Sequence, residues 1–197
     1  MIDKPYSDPK KSPLLGYYLT SKHKMTVLGI NFVTLYYKDI NDISVPVNYR
    51  IYDKQDCKTK NDYLREMIDE VLSWGLKPRW ITGDSWYAGL ENLQLVRHHQ
   101  LDFMFAIKNN RLVSLVKGNK YCQVQCLEIP DEGLIVHLKG FGQVKVFRKV
   151  FKNEFRYYIM FLTDQDALNK TSREEFKQVH DNHWGIETYH RAVLLRL

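Results

Sequence analysis

Two carboxylates far apart in the chain, one of them among histidines, are the residues best placed to do chemistry. Asp84 closes the apolar run Trp80-Ile81-Thr82-Gly83. A carboxylate there would emerge at the C-terminal edge of a sheet, where α/β proteins bind ligands. The same Gly83-Asp84 pair also reads as a turn and helix N-cap. Glu187 lies in His180-Asp181-Asn182-His183-Trp184-Gly185-Ile186-Glu187-Thr188-Tyr189-His190-Arg191. On a helix, offsets of 3, 7 and 10 from His180 put His183, Glu187 and His190 on one stripe. The alternative is a solvated face with a Glu187 to Arg191 pair at i,i+4. Hydrolysis or transfer of a phosphodiester with magnesium needs hard oxygen ligands from separate elements converging on two ions, and a strand-end Asp with a late-helix Glu is such a pair. A zinc hydrolase built on His180, His183 and Glu187 is a different possibility, but the histidines are three apart and no general-base Glu stands between them. Cys122-x3-Cys126 has no second cysteine pair to complete a zinc site.

These residues need elements to hold them. Met25 to Tyr37 is rich in β-branched and aromatic residues, and Ser44 to Tyr52 reads as its hairpin partner. Thr59 to Gly75 carries Leu64, Ile68, Val71 and Leu72 on one helical stripe and ends at Gly75 and Pro78. A strand at 80–84, a helix over roughly 90 to 100 and a strand at 103–107 complete a β-α-β-α-β succession, which argues for an α/β sheet with crossover helices. Four β-type runs at 121–127, 134–138, 144–151 and 156–162 read as an all-β insertion. Thr171-Ser172-Arg173-Glu174-Glu175 offers a capped start to a final helix. Residues 3 to 24, with three prolines, read as an irregular arm. The expected division is a core over 1–110, a β-rich insertion over 111–163 and, over 164–197, one C-terminal core helix that carries Glu187.

The composition fits this plan. Hydrophobic residues make up 44% of 197, enough for a core and against disorder. No apolar run approaches the roughly 20 residues of a membrane span. The net charge of +6 suits a polyanion partner, and Lys145, Arg148, Lys149, Lys152 and Arg156 form a basic cluster that could track phosphates or line a solvated β-face. Three sparse cysteines fit a reduced compartment.

Ile81-Thr82-Gly83-Asp84-Ser85-Trp86-Tyr87-Ala88-Gly89, followed by Leu101 to Arg111, resembles the core of the DDE transposases of bacterial insertion sequences. Lys4-Pro5-Tyr6-Ser7-Asp8 is similar to the motif that follows their first catalytic Asp, and Gly29-Ile30-Asn31 to their second strand. The resemblance implies a ribonuclease H-like mixed sheet with flanking helices. It makes Asp84 the second acid and Glu187 the third, both holding Mg2+ or Mn2+. Its partners would be transposon-end and target DNA, bound by a possible homodimer in the bacterial cytoplasm at the nucleoid. In the subgroup with a Tyr-x2-Arg-x3-Glu-x6-Lys signature, His180, His183 and Leu194 fall at the Tyr, Arg and Lys positions, so only Glu187 matches. His180, His183 and Arg191 are then the expected DNA contacts. The first acid would precede Lys4-Pro5, and Asp3 does not take its role. The resemblance thus implies a fragment truncated at both ends and inactive or nearly so alone, or a non-catalytic DNA-binding remnant.

Overall fold

Thr59 caps the first long helix of the described residues, its hydroxyl accepting from Asp62 N at 3.2 Å while Asp62 Oδ2 accepts from Thr59 N at 2.6 Å. This reciprocal cap satisfies two backbone donors that the first turn would otherwise leave open. It also holds the Asp62 carboxyl below its usual range. The computed structural model describes residues 13–20, 25–39, 41, 43–183 and 185–196, with side chains in the last helix as far as 190. Asp3, the Lys4-Pro5 motif and Trp184 lie outside the described residues. The chain forms two compact units, residues 1–76 with 184–197 and residues 77–183.

In the first unit β1 (Gly16–Thr20) pairs antiparallel with β2 (Met25–Gly29), and β3 (Phe32–Lys38) with β4 (Ser44–Ile51). The run expected as one strand from Met25 is therefore two. They part at Ile30-Asn31, where the chain passes from pairing with β1 to pairing with β4 and the backbone carbonyl of the buried Asn31 accepts from Tyr52 N at 2.7 Å. The arm expected over 3–24 contains β1, held by Tyr18, whose hydroxyl donates to the Tyr52 carbonyl at 2.7 Å. Helix α1 (Lys60–Ser73) buries Leu64, Met67, Ile68 and Val71, one apolar stripe at 3.6-residue spacing. It is tied to β4 by Glu70, which accepts from Arg50 Nη2 at 2.5 and 2.6 Å and from Asn48 Nδ2 at 2.8 Å.

The last helix of this unit, α5 (Gly185–Arg196), packs Tyr189 on Tyr36 with ring centroids 5.5 Å apart and sets His190 Nε2 3.4 Å from Thr34 Oγ1. Burial pushes the His190 imidazole down from 6.5 to about 4. Between those values the unfolded chain binds the proton that the folded chain refuses, so stability rises with pH across the window. We expect the first unit to be fully stable above about pH 6.5 and to weaken as pH falls toward 4. Denaturant midpoints measured across this range should fall less steeply in His190→Gln, and equal slopes would exclude His190 as the cause.

The second unit is built on one mixed seven-stranded sheet in the order β5-β6-β11-β10-β9-β7-β8. Its members are β5 (Trp80–Gly83), β6 (Asp102–Ile107), β7 (Leu112–Ser114), β8 (Cys122–Gln123), β9 (Leu134–Leu138), β10 (Gly142–Phe151) and β11 (Glu154–Phe161). Helix α2 (Leu90–His98) makes the crossover between the parallel pair β5 and β6, and the other pairings are antiparallel. The strands of 112–161 continue the sheet that β5 and β6 begin, where the sequence suggested a separate one. The middle of β10 and of β11 is buried on both sides, as β6 is, so the sheet has two covered faces. Phe103, Phe105 and Phe161 pack on one face with Phe141, while Met104, Phe147, Tyr158 and Met160 pack on the other under Leu168 and Phe176.

The run at 121–127 yields only a two-residue strand, followed by a 3-10 turn over Val124–Cys126. Helices α3 (Gln165–Lys170) and α4 (Arg173–His183) follow β11, α4 opening on a Ser172–Glu175 capping box. Lys145 leaves the basic cluster. It is buried with its amine on the Asn169 and Thr171 carbonyls at 3.1 and 2.7 Å, where it fastens the α3–α4 junction and desolvation lowers its pKa. Among the described residues no helix is long and apolar enough to cross a membrane.

Candidate active site

The C-terminal end of β5 is shaped by three consecutive residues with three different tasks. Thr82 faces α4, its Oγ1 2.9 Å from His183 Nδ1. Gly83 faces Phe105, and a Cβ at that position would stand 2.5 Å from the ring's Cε1. A side chain is excluded there, which is the close approach that glycine in a strand often marks. Asp84 then leaves the sheet, exposed, with Oδ1 accepting from Trp86 N at 2.8 Å and its carbonyl from Tyr87 N at 3.1 Å.

This turn is fixed from behind. Asn92, on α2 and 1% exposed, donates its Nδ2 to the Tyr87 carbonyl at 2.9 Å. Burial, with the Asp84 charge second, pushes the Tyr87 phenol well above its usual value, so it stays neutral. Asp84 is thus an exposed carboxylate on a rigid support, with one oxygen oriented by a backbone donor.

The histidines divide. His183 joins the end of β5 through Thr82, whereas His180 turns inward at 9% exposure, Nε2 3.3 Å from Tyr158 Oη and Nδ1 near Lys149 Nζ (3.3 Å) and Asp181 Oδ1 (3.2 Å). Desolvation lowers the His180 pKa, which disfavours the protonated ring that a phosphate contact would use. Glu187 is exposed in the first turn of α5, where the positive end of the helix dipole favours a carboxylate. It belongs to the first unit, as does Arg191, whose side chain lies outside the described residues. Residue types alone single out neither Thr82 nor Asn92, because their roles come from partners 101 and 5 positions away. Gly83 was the visible signal, a glycine within an apolar strand.

As donors, Asp84 and Glu187 are hard oxygen ligands of the kind Mg2+ or Mn2+ takes. Among the described residues no three of His, Cys, Asp and Glu gather into a metal-holding group. Cys122 and Cys126 are free thiols.

A family model described as a transposase DDE domain matches residues 44–194, from β4 into α5, a span that contains both Asp84 and Glu187. No curated protein and no solved structure matches the chain.

Proposed function

The chain belongs to the transposase DDE domain family, and from that membership we propose that it acts in DNA transposition with Asp84 and Glu187 as ligands of the divalent ions. The single observation that carries this reading is the family match, which takes in both acids. It is supported by the setting of Asp84, an exposed carboxylate at the end of a strand in a parallel β-α-β unit, where ligands of such sheets collect. We extend the reading to a ribonuclease H-like core and to metal-assisted cutting of element ends with transfer of the 3′-hydroxyl to target DNA. A pair of such chains would act at the nucleoid of a bacterial cytoplasm.

In this scheme the ions supply an activated oxygen nucleophile and a stabilised leaving oxygen. The chain's own part is positional. The backbone N–H of Trp86 aims one oxygen of Asp84 and leaves the other open, and Asn92 keeps the turn from yielding. His183 holds the end of α4 against Thr82, and Glu187, in the first turn of α5, is the second proposed ligand.

The test replaces Mg2+ by Fe2+ in the full chain bound to DNA, with ascorbate and peroxide to generate radicals at the ion. Backbone cuts should appear near residues 84 and 187, be suppressed by excess Mg2+, and vanish in Asp84→Asn and Glu187→Gln. Cuts elsewhere, or cuts indifferent to both substitutions, would remove these two acids from the metal site.

A further inference from the structure

The pairings in the second unit place Asp84 and the β10–β11 turn at the same end of the sheet. Gly83 lies opposite Phe105, Phe105 opposite Ile159, and Ile159 opposite Val146, so one row crosses four strands. Asp84 leaves the sheet just past that row. On the same side β10 and β11 run on for five residues each, to Phe151 and Glu154, which carries the hairpin roughly 16 Å beyond the row at about 3.3 Å per residue. The lateral offset from β5 to β10 is three strand spacings, roughly 14 Å.

What the hairpin carries there is unlike the rest of the sheet. The tight turn is Lys152-Asn153, both at positive φ (48° and 64°), the geometry of a two-residue hairpin loop whose twist suits its strands. Between 148 and 156 stand Arg148, Lys149, Lys152 and Arg156 against Glu154 alone, a net charge of +3 (4 − 1). Val150, Phe151 and Phe155 are 62%, 37% and 52% exposed. Strand alternation puts Phe151 and Arg156 on one face and Arg148, Val150 and Phe155 on the other. Each face carries a guanidinium stacked on a ring, Arg156 at 3.8 Å from the Phe151 centroid and Arg148 at 4.3 Å from Phe155. A stacked guanidinium is held flat, and its edge N–H groups remain suited to phosphate oxygens.

We infer that the β10–β11 hairpin, which projects from the same end of the sheet as Asp84, is a DNA-binding ribbon that enters a groove of duplex DNA. Arg148, Lys152 and Arg156 take phosphates, and Val150 and Phe155 lie against the groove wall. A two-stranded ribbon fits the major groove, which is about 12 Å wide, and a duplex held at the tip can run past the end of β5. Charge decides the occupant, since a ribbon with one acid among four cations complements a polyanion. The inference rests on DNA being the partner of the proposed function.

The full chain is titrated into a fluorescent 30-base-pair duplex in chelator, over a range of salt concentrations, with circular dichroism as the check on folding. Lys152→Gln with Arg156→Gln should lower affinity about tenfold or more at low salt and flatten the log K against log salt slope by about 1.8, roughly 0.9 per lost phosphate contact. Phe155→Ser should weaken binding severalfold at an unchanged slope. Wild-type affinity and slope in the double variant would overturn the inference, as would wild-type affinity in Phe155→Ser. So would a self-association dissolved by these substitutions with duplex binding untouched, which would give the surface to a second copy. If the hairpin variants match the wild type, only the ribbon fails; if the wild-type chain binds no duplex at all, transposition fails with it.

Discussion

Phe176→Ala should lower the stability of the second unit by about 3–5 kcal/mol, the usual cost of truncating a fully enclosed aromatic ring. Phe176 is 2% exposed and lies parallel to Phe147, with centroids 4.5 Å apart and planes within 10°. It also touches Tyr158 and His180, so it is the main apolar tie between α4 and the sheet. A loss of this size is a large share of the 5–15 kcal/mol typical of a domain. The denaturant midpoint should drop and amide exchange across β10 and β11 should accelerate together. A change under about 1 kcal/mol would mean that the site collapses around the missing ring, at the lenient limit of such substitutions.

Gly83→Ala should cost about 1–3 kcal/mol through overpacking, and its effect on the site should exceed its effect on stability. The new methyl would meet the Phe105 ring, itself 1% exposed and unable to swing aside. The strand end must therefore move, and Asp84 is the next residue. Iron-directed cutting near residue 84 should fade in this variant even though both acids are intact. Undiminished cutting would show that Phe105 yields and Asp84 keeps its place.

Much of the α/β order was legible in the sequence because the signals were local. The Leu64-Ile68-Val71 stripe and the Gly75-Pro78 stop mark α1 without reference to anything distant, and the apolar run closed by Gly83-Asp84 marks β5. Elements whose limits depend on pairing are not legible in this way. β1 is a short run behind a proline-rich stretch and gains its strand character from the register with β2, Gly16 opposite Gly29. The run from Met25 looks uniform, and only the different partners of its two halves separate β2 from β3. The seven-stranded sheet was missed as one object because β11 meets β6 across some fifty residues, a pairing that periodicity does not encode. The placement of Asp84 at a strand end was readable for the same local reason as β5. The inward turn of His180 was not, since helical spacing cannot tell a solvated stripe from one that meets Tyr158.

The projecting hairpin also bears on how the chain avoids its own kind. The outer edges of the sheet are blunt, four residues in β5 and two in β8, so they offer little template for strand addition. The exception is the stretch of β10 and β11 that runs past Val146 and Tyr157, where neither strand has an outer neighbour in the sheet. An open ribbon edged with Val150, Phe151 and Phe155 would be a site for chain-to-chain pairing and aggregation were it neutral. Arg148, Lys149, Lys152 and Arg156 make two such edges repel each other, so the same cations keep the chain dispersed while no polyanion covers them.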